Sequence, residues 1–114
     1  MEDCLFCKIV AGEIPAEIVA ENEHAIAFRD INPAAPTHFL AIPRRHIESI
    51  EAQQDGDAEI MAGVLTLVRD AARATGLIPG GYRVVSNTGP DAGQLVPHLH
   101  FHVLGGRELG WPPG

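Results

Sequence analysis

Between Pro97 and Gly106 the chain reads "PHLHFHVLGG". His98, His100 and His102 alternate with Leu99, Phe101 and Val103, and such alternation of period two is the pattern of a β-strand. Successive strand side chains point to opposite faces, so the three hydrophobes are committed to a core and the three imidazoles share the other face. The whole chain has only six histidines. In a straight strand the outer pair, His98 and His102, lie about 13 Å apart, at ~3.3 Å per residue, whereas zinc holds its nitrogen ligands at ~2.0–2.1 Å. Two alternate histidines can converge on one ion, but three in a row cannot do so comfortably. A merely solvated polar face is the bland alternative, and the crowding of half the histidines into five residues counts against it. The spacing therefore predicts divided duties for the three rings.

Divided duties suit covalent chemistry. A neutral imidazole is a competent nucleophile near pH 7 because its unperturbed pKa is ~6.5. A neighbour on the same face can hold a phosphate oxygen or protonate a leaving group. The preceding loop, "TGPDAGQLVP", is rich in small residues, and Gly89 and Gly93 allow backbone to approach an anion and point N–H groups at it. The formal net charge of −7, with no basic stripe, argues against nucleic-acid partners. Phosphate binding must then be local.

The 114 residues, 46% hydrophobic and 20% charged, fit one domain with a real core. No apolar run reaches the ~20 residues that cross a bilayer, and the first residues lack a basic-then-apolar signal pattern. The expectation is a cytoplasmic protein without a membrane partner. "LFCKIV" follows Asp3, a candidate N-cap, and spaces Leu5, Phe6, Ile9 and Val10 as a short helix stopped by Gly12. "AEIVAE" and "AIAFRD" read as strands of a hairpin around Asn22 and Glu23, and "HFLAIP" as a third strand after the loop "INPAAPT". A long helix is expected from about Asp57 to Thr75, with Ile60, Val64, Leu67, Val68 and Ala71 as its apolar stripe. "YRVVSN" and "HLHFHVL" supply two more strands, and the tail from Gly105 to Gly114 has no regular pattern. Helix, three strands, helix and two strands predict an α+β fold with a mainly antiparallel sheet.

Cys4 and Cys7, in "CLFC", are the only cysteines. In a chain expected to be cytoplasmic, such a pair reads as a metal or redox site before a structural disulfide. The redox reading expects it at the end of a strand in a βαβ setting, which the three residues before Cys4 do not supply.

His98-Leu99-His100-Phe101-His102-Val103-Leu104 resembles the His-x-His-x-His-x-x signature of the histidine triad superfamily. "FCKIVAGEIPA", "DINPAAPTHFLAIPRRHI", "YRVVSNTG" and "GGRELGWPPG" resemble segments of its nucleotide-binding (Hint) branch, so the likeness covers nearly the whole chain. It implies a single domain over 1–114, a five-stranded sheet extended across a homodimer, and a tail (105–114) near the active site and dimer interface. The implied activity is purine nucleotide binding and cleavage at the α-phosphorus through a nucleotidyl-histidine intermediate. By the same resemblance His100 is the nucleophile, His102 contacts the phosphate and assists the leaving group, His98 organises the central ring, and His38 stands beside the triad. Asp30, with Ile31 beside it, would accept from the ribose hydroxyls; a turn or cap role ahead of Asn32-Pro33 is its alternative. Asn87 and the backbone around Gly93, Gln94 and Leu95 would hold the phosphate. Phe6, Ile9, Ile14 and Phe28 would line the base pocket, or simply fill a small core. Leu95 departs from the serine of typical animal Hint proteins, so a hydroxyl at the phosphate site is missing.

Zinc-containing members of the superfamily resemble the cysteine pair here together with a Pro-x-x-His, Pro43-Arg44-Arg45-His46. The implied ligand set is Cys4, Cys7, His46 and His98, a tetrahedral structural site; two buried cysteines acting as small hydrophobes are the alternative. The functional expectation is a purine nucleoside phosphoramidase acting on AMP-amine or AMP-lysine. A dinucleoside polyphosphate hydrolase is one alternative. A nucleotide- or zinc-binding regulatory protein with vestigial catalysis is the other. Met61, Leu65 and Leu67 give the long helix a broad apolar arc, more than one small sheet needs, in keeping with a homodimer.

Overall fold

The computed structural model describes residues 3–114. Helix α1 (Leu5–Val10) leads into strands β1 (Ile18–Glu21), β2 (Ala25–Arg29) and β3 (Thr37–Pro43); helix α2 (Ala58–Ala74) follows, then β4 (Tyr82–Val85) and β5 (Phe101–Gly105). Among the described residues, short 3-10 turns at Asp55–Asp57 and Pro90–Ala92 are the only elements the hydrophobic pattern does not announce. The strands form one sheet in the order β1-β2-β3-β5-β4, and every neighbouring pair is antiparallel. This is the expected α+β architecture.

Both faces of the central strands are covered, which is why β2 and β3 read as nearly unbroken apolar runs. On one face Ala25, Ala27, Phe39, Ala41, Phe101 and Val103 pack with Val64, Leu67, Val68, Ala71 and Ala72 of α2. On the other, Ile26, Phe28, Leu40 and Ile42 pack with Cys4 and Phe6 at the start of α1. The α2 stripe is the predicted one, with Ile60 and Met61 partly buried against it. Leu67 is only 2% exposed and belongs to this core, so it is not part of a surplus apolar arc; Leu65, 51% exposed, is.

The β1–β2 turn is tied to α2. The Asn22 side chain accepts from the backbone N–H of His24 and Ala25 and donates to the Gly63 carbonyl. A Cβ on Gly63 would lie 2.6 Å from His24 Cβ, so glycine is required by close approach of the turn to the helix.

Two local expectations are corrected. The N-cap of α1 is Cys4, not Asp3: the Cys4 sulfur accepts from the Cys7 N–H at 3.2 Å. The last strand begins at Phe101, not His98. From His98 to His100 the side chains keep their alternation, but the backbone bonds go elsewhere: the Leu99 N–H to the Ile47 carbonyl, and the His100 carbonyl to the Ser86 hydroxyl. Among the described residues no helix is long and apolar enough to cross a membrane.

Candidate functional site

The site lies on the α1 face of the sheet. His38 (β3) and His102 (β5) are diagonal neighbours, because Leu40 pairs with His102 and His38 with Leu104. His100 and His98 continue the row toward α1. Ring centroids are 5.2 Å apart for His38–His102 and 5.1 Å for His102–His100; His98 lies beyond, 5.0 Å from His46. The Phe6 ring stands edge-on to His100 at 5.1 Å, to His98 at 5.9 Å and to Phe28 at 5.5 Å.

The partners of these rings assign their protons. His100 Nδ1 is 2.7 Å from the His98 carbonyl oxygen. A carbonyl can only accept, so Nδ1 carries the hydrogen and the neutral ring keeps a lone pair on Nε2. His98 Nε2 is 2.9 Å from the Pro43 carbonyl and donates to it. Its Nδ1 lone pair then faces Cys4 Sγ at 3.2 Å and Cys7 Sγ at 3.5 Å. The backbone N–H of Ala34 donates to His38 Nδ1 at 3.0 Å, so neutral His38 bears its hydrogen on Nε2. That hydrogen meets His102 Nδ1 at 3.0 Å, which places the His102 proton on Nε2. Burial pushes the pKa values of His98 and His102 below the usual imidazole range; neighbouring rings add to this, His46 and His100 for His98, His100 and His38 for His102. Both are neutral at pH 7. The row thus presents a nucleophilic lone pair on His100 beside a hydrogen-bond donor on His102.

Asp30 also meets His38: its Oδ2 is 3.5 Å from His38 Nε2, while Oδ1 accepts from the Asn32 N–H at 2.8 Å. Part of its capacity is therefore spent on a turn, as its alternative reading has it. Asp30, His38 and His102 are close enough to suggest a metal site. However, the proton that Ala34 forces onto His38 Nε2 occupies the atom a metal would need.

Gly89 and Gly93 bracket the 3-10 turn with φ of +81° and +76°, a region in which a side chain is strained. The Gly93 and Gln94 N–H groups bond within the loop, to the Pro90 and Gly89 carbonyls. The Gln94 side chain turns inward, accepting from the Gly89 N–H and donating to the Glu48 and Val96 carbonyls. Those two residues hold the loop's shape, so their N–H groups are not free for an anion. Asn87 is half-buried beside Ser86, whereas Ile31 and Leu95 are each 91% exposed. Phe28 and Phe6 share the α1-side core, Ile9 packs against it, and Ile14 is half-buried outside it. The sequence reading missed Ala34, Pro43, Ser86 and the His98 carbonyl. Three of the four act through backbone atoms, which carry no residue-type signal.

Cys4, Cys7, His46 and His98 bring one donor atom each to within 4.8 Å of one another. Cys7 Sγ lies 3.3 Å from His46 Nδ1. The three sulfur–nitrogen separations, 3.2–3.5 Å, match the edge of about 3.5 Å expected for a tetrahedral zinc centre with these ligands. The Pro43 carbonyl fixes His98 in the tautomer that a metal needs. A recess of about 350 Å³ lined by Asp3, Cys4, His46, Glu48 and Pro97 opens beside the cluster. Without a cation, burial and the neighbouring Cys4 thiol push Cys7 up to about 11. Arg45 pairs with the buried Asp57 carboxylate, which anchors the segment carrying His46.

A row of imidazoles on an antiparallel sheet, with the central ring aimed by the carbonyl of the first, defines the histidine triad class. The HIT domain model matches residues 11–109, and the chain belongs to that family. It is 47% identical over 113 residues to an uncharacterized HIT-like protein of Synechococcus elongatus, covering 99% of this chain and 98% of that one. It is similar to the crystal structure of a HIT family hydrolase from Legionella pneumophila, with 51% identity, a TM-score of 0.94 and coverage of 98% and 100%. A HIT family hydrolase from Clostridium thermocellum is 43% identical, with a TM-score of 0.93 and 96% coverage of both chains.

Proposed function

We propose that the chain is a nucleotide hydrolase of the purine nucleoside phosphoramidase type, cleaving P–N bonds of AMP-amine or AMP-lysine substrates. The supporting observation is the proton order of His100 and His102, together with the similarity to HIT family hydrolases. The His100 Nε2 lone pair attacks the α-phosphorus as the P–N bond breaks. His102 Nε2–H bonds a phosphoryl oxygen and helps deliver to the departing nitrogen a proton taken from water, since an amide-like anion is a poor leaving group. The His98 carbonyl stabilises the ring charge that develops on His100. Water then cleaves the His100–phosphorus bond, its released proton replacing the one taken up by the amine, and AMP leaves. Asp30 would meet the ribose and Phe6, Ile9 and Phe28 the base. Hydrolysis of an AMP phosphoramidate is expected to exceed that of a diadenosine polyphosphate. The reverse order, or turnover of neither, overturns the assignment.

Cys4, Cys7, His46 and His98 would hold zinc, which when bound braces the start of α1 against the His46 segment and His98. About one zinc per chain is expected by elemental analysis of protein purified without chelator; well under one per chain sinks this assignment. We also assign a homodimer.

A further inference from the structure

We infer that metal held by Cys4, Cys7, His46 and His98 aims the His100 nucleophile, so that metal loading and nucleotide binding are coupled. The inference rests on the zinc assignment above and extends it from a structural brace to a control on the active site.

His98 is shared by the two centres. Its ring belongs to the cysteine–histidine cluster through Nδ1 and to the end of β3 through the Nε2–H bond to Pro43. Its carbonyl belongs to His100, accepting the Nδ1–H at 2.7 Å. A metal on Nδ1 would fix the His98 ring at both nitrogens, and with it the peptide that orients the nucleophile. The neighbouring backbone adds little freedom, because the His98 N–H bonds to the Val96 carbonyl and the Leu99 N–H to the Ile47 carbonyl. The two centres are therefore joined by a single residue held on both sides.

A second connection runs through α1. Cys4 caps this helix and Cys7 stands in its first turn, while Phe6, between them, packs its ring edge-on against both His98 and His100. Six residues are far too few for a helix stable on its own. Its order depends on the α1-side core and on whatever ties the two sulfurs to His46 and His98. Metal-free, those four donors offer one another only weak thiol–imidazole contacts. Loading the metal thus fixes both the carbonyl that orients His100 and the aromatic wall beside it. Coupling of this kind is reciprocal in binding free energy.

The full-length chain is compared zinc-loaded and after chelation, with AMP, which is not turned over, as the probe. AMP is expected to bind the zinc form about tenfold more tightly, within the ~5–150-fold usual for coupled sites. Saturating AMP should raise zinc affinity by the same factor. Independently of any nucleotide, the nitrogen-15 and proton signals of the His100 ring should move when zinc is removed, while methyl signals of Val64 and Leu67 stay native. Unchanged His100 signals in a folded, metal-free chain overturn the coupling while leaving the zinc assignment intact. Loss of the Val64 and Leu67 signals on chelation overturns it in favour of a purely structural metal. A chain that takes up no zinc overturns the metal assignment and the coupling together. If His100 moves but neither form binds AMP, the nucleotide assignment fails and the link from metal to nucleophile stands.

Discussion

A carbonyl oxygen that can only accept decides which nitrogen of His100 keeps its lone pair. An equivalent bond, from Ala34 to His38, decides by relay which nitrogen of His102 donates. The two rings are consequently not interchangeable. His100→Ala should abolish hydrolysis of an AMP phosphoramidate while AMP binding is largely kept, and His102→Ala should cost less, on the order of the ~10²–10⁴-fold assigned to general acid–base help. Near-wild-type turnover by His100→Ala, or no acid-labile AMP adduct on the peptide that contains it, would defeat the mechanism. His102 also makes stability depend on pH. Its folded pKa lies below the unfolded value of ~6.5, so below that pH the unfolded chain binds the proton more readily. Stability from this group is full above pH ~6.5 and declines as pH falls toward the folded value. Urea midpoints at pH 7 and pH 5 should therefore differ less for His102→Gln than for wild type; equal differences would contradict the assignment.

At the scale of elements, the most constrained contact outside the site joins the β1–β2 turn to α2. Gly63→Ala drives a methyl group into His24 Cβ, an atom that no rotamer change can move aside. Overpacking of this sort costs ~1–3 kcal/mol, and a fall in urea-derived stability of that size is expected with the AMP affinity unchanged. A stability equal to wild type would mean that the turn and helix are not locked together. The sequence shows Gly63 only as an unfavourable residue inside a helix, because the need for it comes from a residue 39 positions away. The same limit governs the rest of what was legible. Period-two alternation and the α2 stripe place the first four strands and the long helix within a residue or two, and the last strand to within three at its start, since burial follows side-chain direction. Alternation also runs through His98 and Leu99, where the backbone bonds leave the sheet; the pattern reports where side chains point, not what the backbone pairs with. Cys4, Cys7, His46 and the four site histidines could be picked out because their side chains carry distinctive chemistry. The carbonyls of Pro43 and His98 and the N–H of Ala34 could not. Gln94 was expected to offer its N–H to a phosphate; that its N–H and side-chain amide are both spent inside the loop was not legible, because any residue with free donors fits that pattern equally well.

The whole molecule leaves surface that one chain does not use. β4 is an edge strand of four residues, and an edge presents unpaired N–H and C=O groups that invite pairing. Val84 is 39% exposed on that strand, Leu65 51% exposed on α2 and Ile78 55% exposed between them. Arg83, also on β4, lies 5.8 Å over the Trp111 ring of the tail, so the irregular C-terminus runs along the same side. Isologous pairing of two such faces would extend the sheet, remove an edge and cover Leu65, which is the common solution for a symmetric dimer. Light scattering at micromolar concentration should report twice the chain mass. Leu65→Glu should shift the protein toward monomer, because a carboxylate would have to be buried without a partner at the contact. The monomer's own fold should tolerate the change, since Leu65 is half-exposed and lies outside the core formed by Val64, Leu67 and Val68. Wild-type protein that runs as a monomer, or a Leu65→Glu variant that stays dimeric with undiminished affinity, would show that this face is not where two copies meet.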